Sequence, residues 1–381
     1  MTEIQPFTVE ASKAEIDDLR NRLSGTRWPD SETPDDWSQG VPIAYAKEFC
    51  EYWAKEYDWS ERCDLLNSFA QFITRIDGLD IHFIHVPSPV ATARPIVLTH
   101  GWPGSVVEFL KVIGPLTDPV PHGGDAADAF HVVCPSLPGY GYSGKPAETG
   151  YGVGKIAAMW DQLMLAVGYD GYFAQGGDWG AAVTTAIGMQ NLGHCKGIHL
   201  NMPSAGPTKD ARENPTDEDK LALERSQAYQ DWDSGYSKQQ STRPQTLGYG
   251  LADSPAGQAM WILEKFWRWT DCQGHPENVL SRNELIDNIM LYWLTNSGAS
   301  SARLYWESFN RTAGGGGNNS VTVPTGCSIF PQEIVPTPRS WAERRYPNIV
   351  YWNKLEKGGH FAAFEQPELF VAELRSCFRM M

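Results

Sequence analysis

YFAQGGDWGAAV, residues 172–183, joins a short apolar run to a stretch of small residues through Gly176, Gly177, Asp178, Trp179 and Gly180. The apolar run has the composition of a buried strand, and the small residues that of a closely packed helix. Small residues on either side of one polar residue let strand and helix approach closely. They hold the central residue in a strained turn from which a nucleophile can project. The usual residue at the centre of such an elbow is serine, whereas here it is Asp178. Taken alone, the stretch also describes an ordinary strand-to-helix loop whose aspartate caps the helix.

Two further stretches bear on that choice. His100-Gly101-Trp102-Pro103-Gly104 directly follows the apolar run PIVLT. In elbow enzymes this loop supplies one backbone N–H of an oxyanion hole, and the residue after the nucleophile supplies the other. Those amides would be Trp102 and Trp179. Gly358-Gly359-His360-Phe361 follows the last predicted strand, which makes His360 the candidate general base. A carboxylate must fix its tautomer and balance its charge. Glu356 and Glu365 lie nearer to it in sequence, but in the final strand-loop and the final helix. The order nucleophile, acid, histidine favours Glu333, in CSIFPQEI after the run VTVPTG.

An aspartate nucleophile changes the chemistry. It attacks an sp³ carbon and forms an alkyl-enzyme ester, so the substrate needs a leaving group on carbon. An epoxide oxygen and a halide both qualify. A halide needs N–H donors, often tryptophan, whereas epoxide opening needs an acid at the oxygen. Tyr236 in DSGYSKQ and Tyr305 in SSARLYWE are the candidates for that acid. A haloalkane dehalogenase, and a non-catalytic receptor or carrier on the same fold, are the alternatives.

The rest of the chain supplies the frame. Ser12 and Glu15 have capping-box spacing, and Tyr45, Phe49, Tyr52 and Trp53 mark an amphipathic helix. SFAQFITRIDGLDIHFIHV alternates on both sides of Asp77-Gly78 and predicts a hairpin. Residues 1–90 therefore form a helix and hairpin meander ahead of the main sheet. From residue 95, short apolar runs (PIVLTH, HVVCPS, YFAQGG, KGIHLNMP, VTVPTG, NIVYWN) alternate with helical patterns. That pattern implies an α/β fold with a mostly parallel sheet. The core spans 91–205 and 296–381. Residues 206–295 break the alternation and read as an inserted helical cap, with one helix opening at Ser254-Pro255 and another through LIDNIMLYWL. AGGGGNN, 313–319, lacks the lysine and hydroxyl residue of a phosphate loop and reads as a linker.

Composition excludes several classes. A net charge of −15 argues against a nucleic-acid or anionic-membrane partner. Seven scattered cysteines form no metal-binding spacing and suit free thiols in a reducing cytosol. The N-terminus lacks the cationic and apolar regions of a signal peptide, and no apolar run is long enough for a membrane span. A cytoplasmic location and no metal or cofactor are expected, with a homodimer as the default assembly.

Taken in order, several long motifs resemble the microsomal-type epoxide hydrolases across nearly the whole chain. They are RLSGTRWPD (22–30), YWAKEYDW (52–59), LNSFAQFITRIDGLDIHFIH (66–85), HGWPGS (100–105), PSLPGYGYSGKP (135–146), GGDWGA (176–181), VPTGCSIFPQE (323–333) and GGHFAAFEQPELF (358–370). The resemblance implies an α/β-hydrolase fold that adds water to a small apolar epoxide, giving a vicinal diol, in a detoxifying role. It implies Asp178 as nucleophile, His360 as base, Glu333 as its acid partner, and Tyr305 and Tyr236 as ring-opening acids. Members bound to membranes carry an N-terminal anchor; none is expected here, so a microsomal location is not carried over. Aromatic richness points to bulky epoxides of aryl or terpene type.

Overall fold

The computed structural model describes residues 3–309 and 320–381. The linker expected at 313–319 lies outside them. Nine strands among the described residues form one sheet: β1 (Ile4–Phe7), β2 (Gln71–Ile76), β3 (Leu79–Val86), β4 (Arg94–Thr99), β5 (Phe130–Pro135), β6 (Tyr172–Gly176), β7 (Cys195–Leu200), β8 (Thr325–Ile329) and β9 (Ile349–Lys354). Their spatial order is β1-β2-β3-β5-β4-β6-β7-β8-β9. From β5 to β9 every pairing is parallel, and β1, β2 and β3 extend the sheet antiparallel. The central strands β6 and β8 are buried at every position, as strands covered by helices on both faces must be.

The hairpin turns at Asp77-Gly78 and is hydrogen-bonded into the main sheet, since β3 pairs with β5. Ahead of it, β1 adds a short edge strand that the sequence reading did not anticipate. The strand expected at 321–326 is shifted toward the C-terminus and begins at Thr325. Proline has no N–H, so Pro324 cannot serve a central strand as donor. Its carbonyl accepts from Ile198 N at 2.9 Å, and the ladder proper continues through TGCSI.

The capping box at Ser12 forms, and the helix Ile43–Lys55 buries Phe49 and Trp53. Between β7 and β8 the chain leaves the sheet and builds a series of helices over its C-terminal edge. Among them are Pro255–Trp269, capped by Ser254, and Arg282–Leu294. The N-terminal segment braces them. The hydroxyls of Tyr45, Tyr52 and Tyr57 donate to Glu277, Asn283 and Asp287, and Arg62 pairs with Asp287. No helix among the described residues is long and apolar enough to cross a membrane.

Candidate active site

Asp178 stands at the junction of β6 and the helix Asp178–Gln190, with φ of +48°. A non-glycine residue there carries strain of about 1–3 kcal/mol, which the surrounding packing must hold in place. Two glycines permit the junction. A Cβ on Gly176 would lie 2.1 Å from Gly180 O, and one on Gly180 would lie 1.8 Å from Thr99 O. A Cβ on Gly101 would meet Asp178 Oδ1 at 2.2 Å, so the bare Cα of Gly101 is what lets the carboxylate lie against the neighbouring loop.

That loop follows β4 and carries Trp102, whose backbone N–H donates to Asp178 Oδ1 at 2.8 Å. Trp179 occupies the second position of the helix, where a backbone N–H has no partner within the helix. The cap helix Arg282–Leu294 fixes the loop from outside. Asn288 Nδ2 donates to Pro103 O at 2.8 Å, and Tyr292 Oη donates to Gly104 O at 2.7 Å. His100 is buried, which lowers its pKa to about 4. Its Nε2 accepts from Leu137 N at 3.2 Å, which marks it as a neutral bracing residue.

His360 lies in the loop after β9, 5% exposed. Its Nδ1 is 2.5 Å from Glu333 Oε1. Its Nε2 is 3.2 Å from Asp178 Oδ2, within ion-pair reach but without hydrogen-bond alignment. Burial opposes a charge on the ring, but Glu333 and Asp178 together outweigh it and hold His360 well above the usual histidine range. Of the other two carboxylates weighed from sequence, Glu356 is exposed. Glu365 is buried and accepts from Asp271 N at 2.8 Å and Phe361 N at 3.2 Å. It secures the turn that carries His360, whose own N–H donates to Trp269 O in the cap at 2.9 Å.

Tyr236 and Tyr305 come from two different helices, Gly235–Thr242 and Gly298–Phe309, and meet over the Trp102 ring. Tyr236 stacks on Trp102 with centroids 4.9 Å apart, and Tyr305 stands edge-on to it at 5.9 Å. The two phenol rings are 5.8 Å apart, and Tyr305 also packs edge-on against Trp179 at 4.7 Å. Burial pushes both phenols well above the usual tyrosine value, with Asp178 adding to the effect. Both are therefore neutral hydroxyls able to donate.

Six further residues belong to this constellation and were not anticipated. Glu108 lies behind the Trp102 loop, with its carboxyl against Gly104. Burial raises it to about 8, with Asp178 adding to the shift and His360 opposing it. A cavity of about 20 Å³ is bordered by Glu108, Asp178, His360, Gln175 and Asn201. That is room for one water, which needs two to four polar partners. Gln175 Oε1 and Asn201 Nδ2 are buried there without partners among the described residues. Lys265 is buried in the cap with its Nζ 4.6 Å from the Tyr236 ring centre, and Trp269 stands 5.1 Å from the same ring. Tyr229 Oη lies 3.0 Å from Tyr236 Oη. The spacing of Glu108 after HGWPGS was the one sequence signal that could have drawn attention to any of them. Among the described residues no cluster of three or more histidines, cysteines or carboxylates is arranged to hold a metal ion.

Residues 4–109 match the epoxide hydrolase N terminus, and residues 94–251 match the alpha/beta hydrolase fold. The chain is 51% identical to a putative epoxide hydrolase of Stigmatella aurantiaca, across 99% of its own length and 85% of that protein. It is 38% identical to epoxide hydrolase 1 of Oryctolagus cuniculus, covering 97% of its own length and 88% of the relative. The crystal structure of juvenile hormone epoxide hydrolase from Bombyx mori superposes with a TM-score of 0.91 at 33% identity, over all of this chain and 95% of that one.

Proposed function

The chain belongs to the epoxide hydrolase family and adds water to epoxides, and from that premise we propose how its residues divide the work. Tyr236 and Tyr305 donate to the epoxide oxygen. Asp178 attacks a ring carbon, the C–O bond breaks, and one phenol gives its proton to the leaving oxygen. The result is an ester on Asp178. Water, deprotonated by His360, then attacks the ester carbonyl. The Trp102 and Trp179 amides hold the resulting oxyanion, each such donor being worth about 3–4 kcal/mol. Glu108, Gln175 and Asn201 position the water.

The observation that carries this reading is the setting of one carboxylate: Asp178 Oδ1 accepts from the Trp102 amide, and Oδ2 lies 3.2 Å from His360 Nε2. That setting also orders the steps. In the resting site His360 has two carboxylate partners, which favour its charged form. Ester formation neutralises Asp178 and leaves only Glu333, so His360 is held less firmly in its charged form, releases its proton to solvent and becomes a base when a base is needed.

The tryptophan and tyrosine walls support small to bulky apolar epoxides as substrates, of aryl or terpenoid type. Seven unpaired cysteines, six of them buried, support a reducing, cytoplasmic location. The test is a single turnover of styrene oxide by excess enzyme in ¹⁸O-water, followed by mass analysis of the peptide containing Asp178. Label in that carboxylate supports the ester route, and label only in the diol overturns it.

A further inference from the structure

Tyr229, Tyr236 and Tyr305 differ in their access to water. Tyr305 is 2% exposed and Tyr236 5% exposed, whereas Tyr229 is half-buried. Tyr229 opens the wide π-type turn Tyr229–Asp233. Such turns recur at functional sites. The turn faces solvent, since Trp232 within it is 88% exposed. On one side the Tyr229 hydroxyl meets Tyr236 Oη at 3.0 Å, and on the other the half-buried Ser237 is its neighbour.

The proposed cycle needs such a connection. Ring opening moves a phenol proton to the substrate oxygen and leaves a phenolate, with His360 still protonated. Before water can attack, one proton must leave His360 and one must reach the phenolate. Ester hydrolysis then returns a proton to His360, and the balance closes with one water consumed.

We propose that Tyr229 is the relay that resets Tyr236. It donates to the Tyr236 oxygen, passes its proton inward as the phenolate forms, and takes a replacement from solvent. The inference rests on the Asp178 ester reading above. The geometry sets the direction: Tyr236 is the more enclosed of the two and Tyr229 the nearer to solvent, so a proton entering at Tyr229 moves inward. Asp178 disfavours a lasting anion on either phenol, and Asp233 on Tyr229. Lys265 Nζ, which lies 4.6 Å over the Tyr236 ring, pairs with Glu264.

The test is rapid mixing of the full chain with styrene oxide, acid quench, and mass measurement of the ester on Asp178. In Tyr229→Phe the ester should form within about twofold of the wild-type rate, while its decay and kcat fall about tenfold, the lower range of a lost proton-transfer step. Imidazole buffer should restore part of the decay rate, which repair of a structural defect would not do. Tyr229→Phe should add nothing in a Tyr236→Phe background. Formation and decay falling together, without buffer rescue, would reduce Tyr229 to packing and overturn the relay. So would wild-type rates for both steps. If even His360→Gln accumulates no ester on Asp178, the ester reading itself fails and the relay falls with it.

Discussion

The two halves of the site are built by different means. Asp178, Trp102, Glu333 and His360 come from loops at the C-terminal ends of strands, and backbone geometry fixes them. The strained φ at Asp178, the glycine contacts at 176 and 180, and the Trp102 amide leave that half with one arrangement. Tyr236, Tyr305, Tyr229 and Lys265 come from the helices between β7 and β8, the cap and the helix Gly298–Phe309 that follows it, and packing of their side chains on Trp102 and Trp269 fixes them. A backbone device holds one atom in one place, so its loss removes a step. A ring cluster shares its task among neighbours, so the loss of one member weakens a step.

The largest effect should therefore fall on the core half. Asp178→Asn should lower epoxide turnover by about 10⁴-fold and form no ester, as when a covalent nucleophile is removed. The amide keeps an acceptor for the Trp102 N–H, so folding should survive, with an unchanged melting temperature as the control. Retention of a tenth of wild-type activity would mean that water attacks the epoxide directly, and the core half would lose its claim to the first step.

Next comes His360→Gln. Ester formation should continue while its hydrolysis slows by about 10³-fold, so the alkylated peptide should persist in quenched samples. Equal slowing of both steps, with ester still detectable, would show that the imidazolium is needed for attack by Asp178. The separation of steps by the neutralised carboxylate would then be wrong.

Tyr305→Phe tests the other side of the comparison. With Tyr236 still present to donate, ester formation should slow by about 10- to 100-fold, and hydrolysis of the ester once formed should hardly change. A loss as large as that of Asp178→Asn would mean that the two phenols act as one unit. The cap half would then be as unforgiving as the core half.

The same division governed what could be read from sequence. A backbone device leaves short, contiguous marks, because the glycines that permit it sit beside the residue they serve. GGDWG, HGWPG and GGH each pair a functional residue with the small residues that make room for it. The single mostly parallel sheet followed from the buried runs for a similar reason. One strand was misplaced where the apolar run VTVP carried a proline that a central strand cannot use. Tyr236 and Tyr305 were candidates by chemistry alone and took their roles only through family resemblance, since their positions depend on how helices far apart in sequence cross. Tyr229 and Lys265 left no mark, because a hydroxyl pair and a cation over a ring are created by tertiary packing. Glu108 was not singled out from sequence at all. Its importance lies in being buried beside two other charged groups, which sequence does not state.

Glu108 yields the smallest and slowest-varying effect. Its folded pKa of about 8 lies above the ordinary value of 4.5, so the native state keeps a proton that the unfolded chain gives up. Its contribution is fully present below about pH 4.5 and is lost as pH rises toward 8, by at most about 1.4 kcal/mol per pH unit. Glu365, raised to about 7 by burial, acts in the same sense over the lower part of that window. Glu108→Gln cannot ionise, so its melting temperature should fall less steeply than that of the wild type between pH 5 and 8. The gap between the two should widen at each step in that range. Parallel melting curves would mean that Glu108 titrates at its ordinary value, with water reaching its carboxyl freely. It could not then be the enclosed group that holds a single water beside His360. A widening gap together with a severalfold slower ester hydrolysis would place Glu108 with the core half, where backbone and burial leave one arrangement.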